Sequence, residues 1–328
     1  MKALVGGYGS IGKRHINNLS KIKDMQIIVN TKRKNDNFLK KNNCIVFSSL
    51  HACVKQKPTF AIICNETSLH VKSALVLAKA GIHMMIEKPL SDKLTNCQKL
   101  LEISKKKKLS VMIGSNLRFH PGVQLLRNII KKEEIGRIIS VKTENGSFLP
   151  NWHPNENYKK NYAANHNLGG GVVLTCIHEI DYLYWMFGQV NEISSICGQY
   201  SELNISSEDL AEFSLYFKNS VVAQVHLDFF QQPNTRSCKL IGTKGTVIWD
   251  FEKPFVKKYY FASKKWTNLK ISYSKIDQTY VDELNHFLNC IKKNSKSINP
   301  LEEGIYTIKL ALIIKKSSKL KKSISVGK

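Results

Sequence analysis

Short apolar runs alternate with amphipathic stretches through the first third of the chain. The runs fall at 3–5, 27–29, 45–47, 60–63, 84–86 and 111–113. Between them lie segments with helical spacing of apolar positions, at 11–21, 68–80 and 95–106, and Gly81 follows the second as a helix stop. Short strands separated by helices predict a parallel, doubly wound sheet. The pattern changes after about Leu117. Longer β-type runs follow at 138–144, 193–200, 211–217, 221–229 and 238–241, with Lys218-Asn219-Ser220 and Gly242-Thr243-Lys244-Gly245 as hairpin turns. One nearly all-apolar helix is expected at 171–187. An amphipathic helix is expected at 305–314 and a short strand at 324–326. The chain is therefore read as α/β: a doubly wound parallel domain over 1–118, then an α+β domain on a largely antiparallel sheet over 119–328.

Composition narrows the class. The 328 residues and 42% hydrophobic content suffice for two folded domains. The 8 cysteines are scattered without a CxxC pair, so neither a metal site nor a redox motif is expected, and reduced thiols point to the cytoplasm. The apolar stretch after Met1 is too short for a secretory leader, and no run nears the ~20 apolar residues of a membrane span. The formal charge is +25. Such an excess attracts polyanions. Its lysines are dispersed, however, as at 105–108, 131–132, 159–160, 264–265 and 321–322, without interleaved aromatics or a recognition-helix pattern. Specific nucleic-acid binding is not expected.

The first candidate for chemistry is Gly7-Tyr8-Gly9-Ser10-Ile11-Gly12, placed between the first strand and the first helix. In that context the spacing reads as a dinucleotide turn. Gly7 permits the bend, Gly9 admits the pyrophosphate, and Gly12 lets the helix pack on the strand. Helix-terminal amides at Ser10 and Ile11 would face the phosphates. The acid expected at the end of the second strand is missing, because Asn30-Thr31-Lys32-Arg33-Lys34 stands there. Asn30, Thr31 and Arg33 could accept a 2′-phosphate. This inclines the NAD(P) reading toward NADP, with NAD left open.

The second candidate is Lys88 in Glu87-Lys88-Pro89, at the carboxyl end of the fifth expected strand. Ligands of open α/β sheets bind at such ends. An ammonium there could hydrogen-bond a substrate hydroxyl as hydride leaves its carbon. The third is His178 in the apolar helix opened by Gly169-Gly170-Gly171. A histidine in the middle of a buried helix needs a partner or a task. Asp181, one turn on, could orient its imidazole. Paired with Lys88, His178 reads as a general base or acid.

These elements occur together with Cys64-Asn65-Glu66-Thr67-Ser68-Leu69-His70, Arg118-Phe119-His120-Pro121 and His178-Glu179-Ile180-Asp181. The combination resembles the Gfo/Idh/MocA oxidoreductases over most of the chain. The resemblance implies an N-terminal Rossmann domain and a C-terminal domain whose open sheet joins copies into a dimer or tetramer. It implies NAD(P)-linked hydride transfer on a sugar or nucleotide-sugar, with Lys88 and His178 catalytic and a cis Lys88–Pro89 bond. Cys64, Asn65, His70, Glu87 and Asn116 would line the nicotinamide side. Arg118, Trp152, Tyr158, Tyr162 and Thr175 would face the substrate. The stretch from Trp152 to Asp181 looks most like a subgroup linked to bacterial surface-polysaccharide sugars. One departure stands out. Many members carry an aspartate three or four residues before the histidine, where this chain has Thr175 and Leu174. A non-catalytic regulator that binds dinucleotide and sugar is the alternative reading.

Overall fold

Each apolar run of the first third is a strand: β1 (Lys2–Gly6), β2 (Gln26–Asn30), β3 (Ile45–Phe47), β4 (Phe60–Ile63), β5 (His83–Glu87) and β6 (Val111–Gly114). The computed structural model describes residues 1–33, 36–272 and 276–327, so Lys34 lies outside the described residues. The six strands pair in parallel in the order β3-β2-β1-β4-β5-β6. Helices α1 (Ser10–Leu19), α2 (Asn37–Lys41), α3 (Leu50–Lys55), α4 (His70–Lys79) and α5 (Cys97–Lys106) alternate with them. Strand order reverses between β1 and β4, which makes their carboxyl ends the switch point of a doubly wound sheet. The register aligns Gly6 with both Asn30 and Ile63, Ile63 with Ile86, and Glu87 with Gly114. The glycine turn, Asn30, Cys64 and Lys88 therefore leave the sheet along one edge.

The second half contains α6 (Pro121–Lys131), β7 (Ile138–Gly146), α7 (Val172–Thr175), α8 (His178–Phe187), β8 (Val190–Gly198), β9 (Leu210–Phe217) and β10 (Val222–Asp228). Then come β11 (Thr235–Gly242), β12 (Gly245–Asp250), β13 (Phe255–Tyr260), β14 (Lys265–Lys270), α9 (Ile276–Lys293), α10 (Leu301–Leu320) and β15 (Ile324–Ser325). The nine-stranded sheet runs β14-β13-β12-β11-β7-β10-β9-β8-β15, antiparallel except where β10 lies parallel to β7. Alternation along β9 and β10 buries Ala211, Phe213, Leu215, Ala223, Val225 and Leu227 on one face, which α7 covers. Both expected hairpin turns are present, and Ser220 in the first takes a left-handed φ of 64°.

Two expectations change. The helix at 171–187 is broken into α7 and α8, because Cys176 (φ −93°, ψ 36°) leaves the helical region, so His178 opens α8 instead of sitting mid-helix. The C-terminal helix runs on to Leu320, and Lys315 within it pairs with Glu208 at 3.1 Å. Finally, contacts group stretches that are distant along the chain. One unit is Met1–Ser115 with Tyr280–Ile308, the other Asn116–Thr279 with Lys309–Lys328. The returning segment completes the first core. Phe287 stacks edge-on against Phe60 at 5.8 Å, Pro300 bridges to Met112, and Asn299 donates to Ser115 Oγ at 2.8 Å. Among the described residues no helix is long and apolar enough to cross a membrane.

In the second unit the largest fully buried side chain is Trp249 on β12, packed against α6. A Cβ at Gly122 would lie 2.2 Å from its Nε1. Gly122→Ala should destabilise the fold by about 1–3 kcal/mol through overpacking, read as a lower urea midpoint at unchanged slope.

Candidate active site

The glycine turn is built by close backbone approach. Gly7 has φ +124°, and a Cβ on it would come within 2.6 Å of Asn65 N and the Cys64 carbonyl. A Cβ on Gly12 would meet the Gly7 carbonyl oxygen at 2.4 Å. At Gly9 the opposite holds: a Cβ would meet nothing within 4 Å. Gly9 is also the N-cap of α1, with no side-chain cap, so the first amides of the helix are open to a ligand. At the end of β2, Asn30 Nδ2 donates to the Phe47 carbonyl at 3.2 Å and Thr31 Oγ1 accepts from Arg33 N at 3.2 Å.

On the other side of the switch point, Cys64 is buried beneath the turn with Sγ 3.6 Å from the Gly7 carbonyl, and burial pushes its thiol up. Asn65 donates from Nδ2 to Ser73 Oγ at 3.1 Å. Its Oδ1 is buried without a hydrogen-bond partner among the described residues. His70 spans two turns, with Nδ1 2.9 Å from the Pro89 carbonyl and Nε2 2.9 Å from the Asn65 carbonyl. Two acceptors favour the doubly protonated ring, but burial is the larger influence and holds the imidazole below its ordinary value. Lys88–Pro89 is cis, and Lys88 itself is half-buried. Glu87 accepts from the buried His15 of α1 at 2.6 Å. Burial raises its carboxyl, yet the His15 bond first, and then the electrostatic influence of His15, Lys88 and His70, more than offset this and hold it below the ordinary carboxylate range. The sequence reading missed His15; the signal was a polar residue on the inward face of α1, one turn after Gly12.

The other residues singled out in the sequence lie in the second unit. His178 is buried at the first position of α8, and Thr175 and Leu174 are buried on α7. Asp181 binds Arg118, whose Nε and Nη2 donate to its two carboxylate oxygens at 2.9 and 2.8 Å. The Arg118 guanidinium is fully buried in that pair. Glu179 similarly accepts from Arg236 Nε at 2.9 Å. Asn116 donates to Thr279 Oγ1 at 2.9 Å. Trp152 Nε1 donates to Ser147 Oγ at 3.0 Å and the Tyr158 hydroxyl to the Leu203 carbonyl at 3.0 Å, so Trp152 bonds within its own loop and Tyr158 bonds to the β8–β9 connection. Tyr162 is half-buried, and its carbonyl lies where a Cβ on Gly170 would be, 2.2 Å away. Gly171 (φ +101°) likewise leaves room for the Glu208 carboxylate.

Residues 1–115 match the family model described as oxidoreductase family, NAD-binding Rossmann fold, and residues 127–326 match its C-terminal alpha/beta domain. The chain belongs to the Gfo/Idh/MocA oxidoreductase family. Relatives within reach of this Gfo/Idh/MocA chain include sugar dehydrogenases. It is 22% identical over 348 residues to myo-inositol 2-dehydrogenase of Thermotoga maritima, covering 99% of this chain and 98% of that one. It is 26% identical over 224 residues to 2,7-anhydro-N-acetylneuraminate hydratase of Escherichia coli K12, covering 66% of this chain and 59% of the hydratase. The chain spans a little over half the length of the first curated relatives it matches. Levoglucosan dehydrogenase in complex with NADH shares the fold, with a TM-score of 0.90 at 16% identity over 100% of this chain and 99% of that one.

The Rossmann unit of this family member fits a dinucleotide on its own geometry. The open space at Gly9 and the uncapped α1 amides suit a pyrophosphate. The buried acceptor Asn65 Oδ1 suits an amide donor such as a carboxamide. Gly9→Ala should fold normally, since φ −80° and ψ −168° admit alanine, yet lower NAD(P) affinity at least tenfold, about 1.4 kcal/mol, by calorimetric titration. Arg118→Met should behave differently. It removes both Arg118 donors from a buried carboxylate and should lose about 3–5 kcal/mol of stability by chemical denaturation.

Proposed function

We propose that this chain is an NAD(P)-dependent oxidoreductase acting on a CH–OH group of a sugar or nucleotide-sugar, with Lys88 and His178 handling the hydroxyl proton. The observation that supports it most is the setting of Lys88. It leaves β5 on the half of the sheet beyond the switch point, with Glu87 bonded to His15 and the Pro89 carbonyl held by His70. When bound, the dinucleotide supplies the hydride acceptor or donor at nicotinamide C4. Lys88 then offers an ammonium to the substrate oxygen, and His178 accepts or returns its proton. Tyr162 and Thr175 serve substrate contact in this reading, and Trp152 and Tyr158 shape the loop that bears Tyr162.

Finer assignments follow from the same residues. Arg33, with no acid at the end of β2, inclines the cofactor toward NADP. The stretch from Trp152 to Asp181 inclines the substrate toward sugars of surface-glycan precursors. Eight free thiols suit a reducing cytoplasm. The uncovered face of the second sheet, with exposed Ile196 and Tyr216, suits contact between copies in a homo-oligomer. A non-catalytic dinucleotide- and sugar-binding regulator is the second reading, favoured by Thr175 and Leu174 at the positions of the family aspartate.

The test is turnover of NAD+, NADP+ and their reduced forms with a panel of inositols, sugars and nucleotide-sugars. Product analysis belongs in it, because one relative is a hydratase. Lys88→Ala and His178→Ala should each lower kcat by about 10²–10⁴-fold while dinucleotide affinity stays near wild type. A wild-type rate in either variant ends that residue's assignment. Tight dinucleotide binding with no sugar turned over supports the regulator.

A further inference from the structure

Lys88 poses an electrostatic problem. In the proposed site its ammonium must coexist with the oxidised nicotinamide, which is cationic, as well as with the neutral reduced ring. The residue before it answers the problem. Glu87 is the last residue of β5, 6% exposed, and its carboxylate packs against β6, 3.4 Å from where a Cβ on Gly114 would stand. Its Oε1 accepts from His15 Nε2 at 2.6 Å, and His15 is fully buried on the helix that begins at the Gly9 cradle.

The charge of this pair follows from its other atoms. His15 packs edge-on against Tyr280 at 6.2 Å, and its Nδ1 is buried with no hydrogen-bond partner among the described residues. A doubly protonated ring would bury a charged N–H without an acceptor, which is far costlier than burying a lone pair. The orphaned Nδ1 suits a lone pair, with Nε2 donating to the Glu87 carboxylate. The other groups that face Glu87 are Lys88, the His70 ring on α4 and the Cys64 thiol. Burial keeps the last two neutral. Glu87 therefore carries an anion that balances Lys88.

We propose that Glu87 is a buried counter-charge favouring the oxidised, cationic dinucleotide over the reduced one, with His15 as the positioning residue that keeps it ionised. This rests on the dinucleotide reading above. At an effective dielectric near 20, a unit charge as far as about 10 Å from a cationic ring changes the affinity ratio by on the order of tenfold. The experiment is calorimetric titration of the full chain with NAD+, NADH, NADP+ and NADPH at fixed ionic strength. The variants are Glu87→Gln, His15→Leu and His15→Gln. Glu87→Gln should weaken the oxidised form about tenfold and leave the reduced form near wild type. His15→Leu should do the same, because the carboxyl then lacks its donor and takes up a proton. His15→Gln retains an N–H donor and should restore the wild-type ratio. If Glu87→Gln does not fold, the contrast between the two His15 variants decides. Equal weakening of both redox forms, or an unchanged ratio, overturns the counter-charge while the dinucleotide reading stands. A wild-type chain that binds none of the four overturns both.

Discussion

The first unit depends on how closely the β1–α1 turn lies against the exit of β4. Gly7 and Gly12 permit contacts that any Cβ would block, so two strands at the switch point and the first helix meet at backbone distance. That approach leaves Gly9 with free space above it and α1 with open amides. It also puts α1 near enough to β5 for His15 to reach Glu87. One steric condition thus produces the anion cradle and the support of the Lys88 turn together. The cis turn is held from two sides, by α1 through Glu87 and by α4 through the Pro89 carbonyl.

The second unit solves a different problem. Helix α8 is nearly all apolar, yet it opens with His178, Glu179 and Asp181 on a buried surface. Burying charge is expensive unless it is paired in good geometry. Arg118 meets Asp181 through two bonds and also lies over Trp185 at 5.4 Å, and Arg236 meets Glu179. These pairs fix where the helix starts, and therefore where His178 stands. The carboxylates near the histidine in sequence are structural anchors, bound to arginines.

Much of this was legible in the amino-acid order because parallel strands buried on both faces read as continuous apolar runs. All six runs of the first third are strands, and the glycine turn follows from its place between a strand and a helix. What escaped did so for physical reasons. The alternating, half-exposed residues of β13 and β14 carry lysines and aromatics that dilute the period. The return of Tyr280–Ile308 to the first core is a long-range pairing, Phe287 on Phe60, that no local pattern encodes. The full burial of Arg118 escaped as well, because sequence shows its charge and not its burial. The bond from Arg118 to Asp181 joins positions 63 residues apart, which helical spacing does not show.

The missing acid at the end of β2 has a structural counterpart. Asn30 Nδ2 and the Thr31 amide both bond to the Phe47 carbonyl, at 3.2 and 3.0 Å, tying the end of β2 to β3. A carboxylate at position 30 would place its oxygens against that same carbonyl, so the tie requires an amide there. The neutral residue is thus part of how the strand ends are joined. Arg33 next to it is exposed. An exposed guanidinium gains little from an ion pair in water and less at physiological salt. The proposed inclination toward NADP accordingly rests on the absence of repulsion from an acid more than on attraction by a base. On that proposed reading, the two cofactors differ by a modest factor, one that narrows as ionic strength rises.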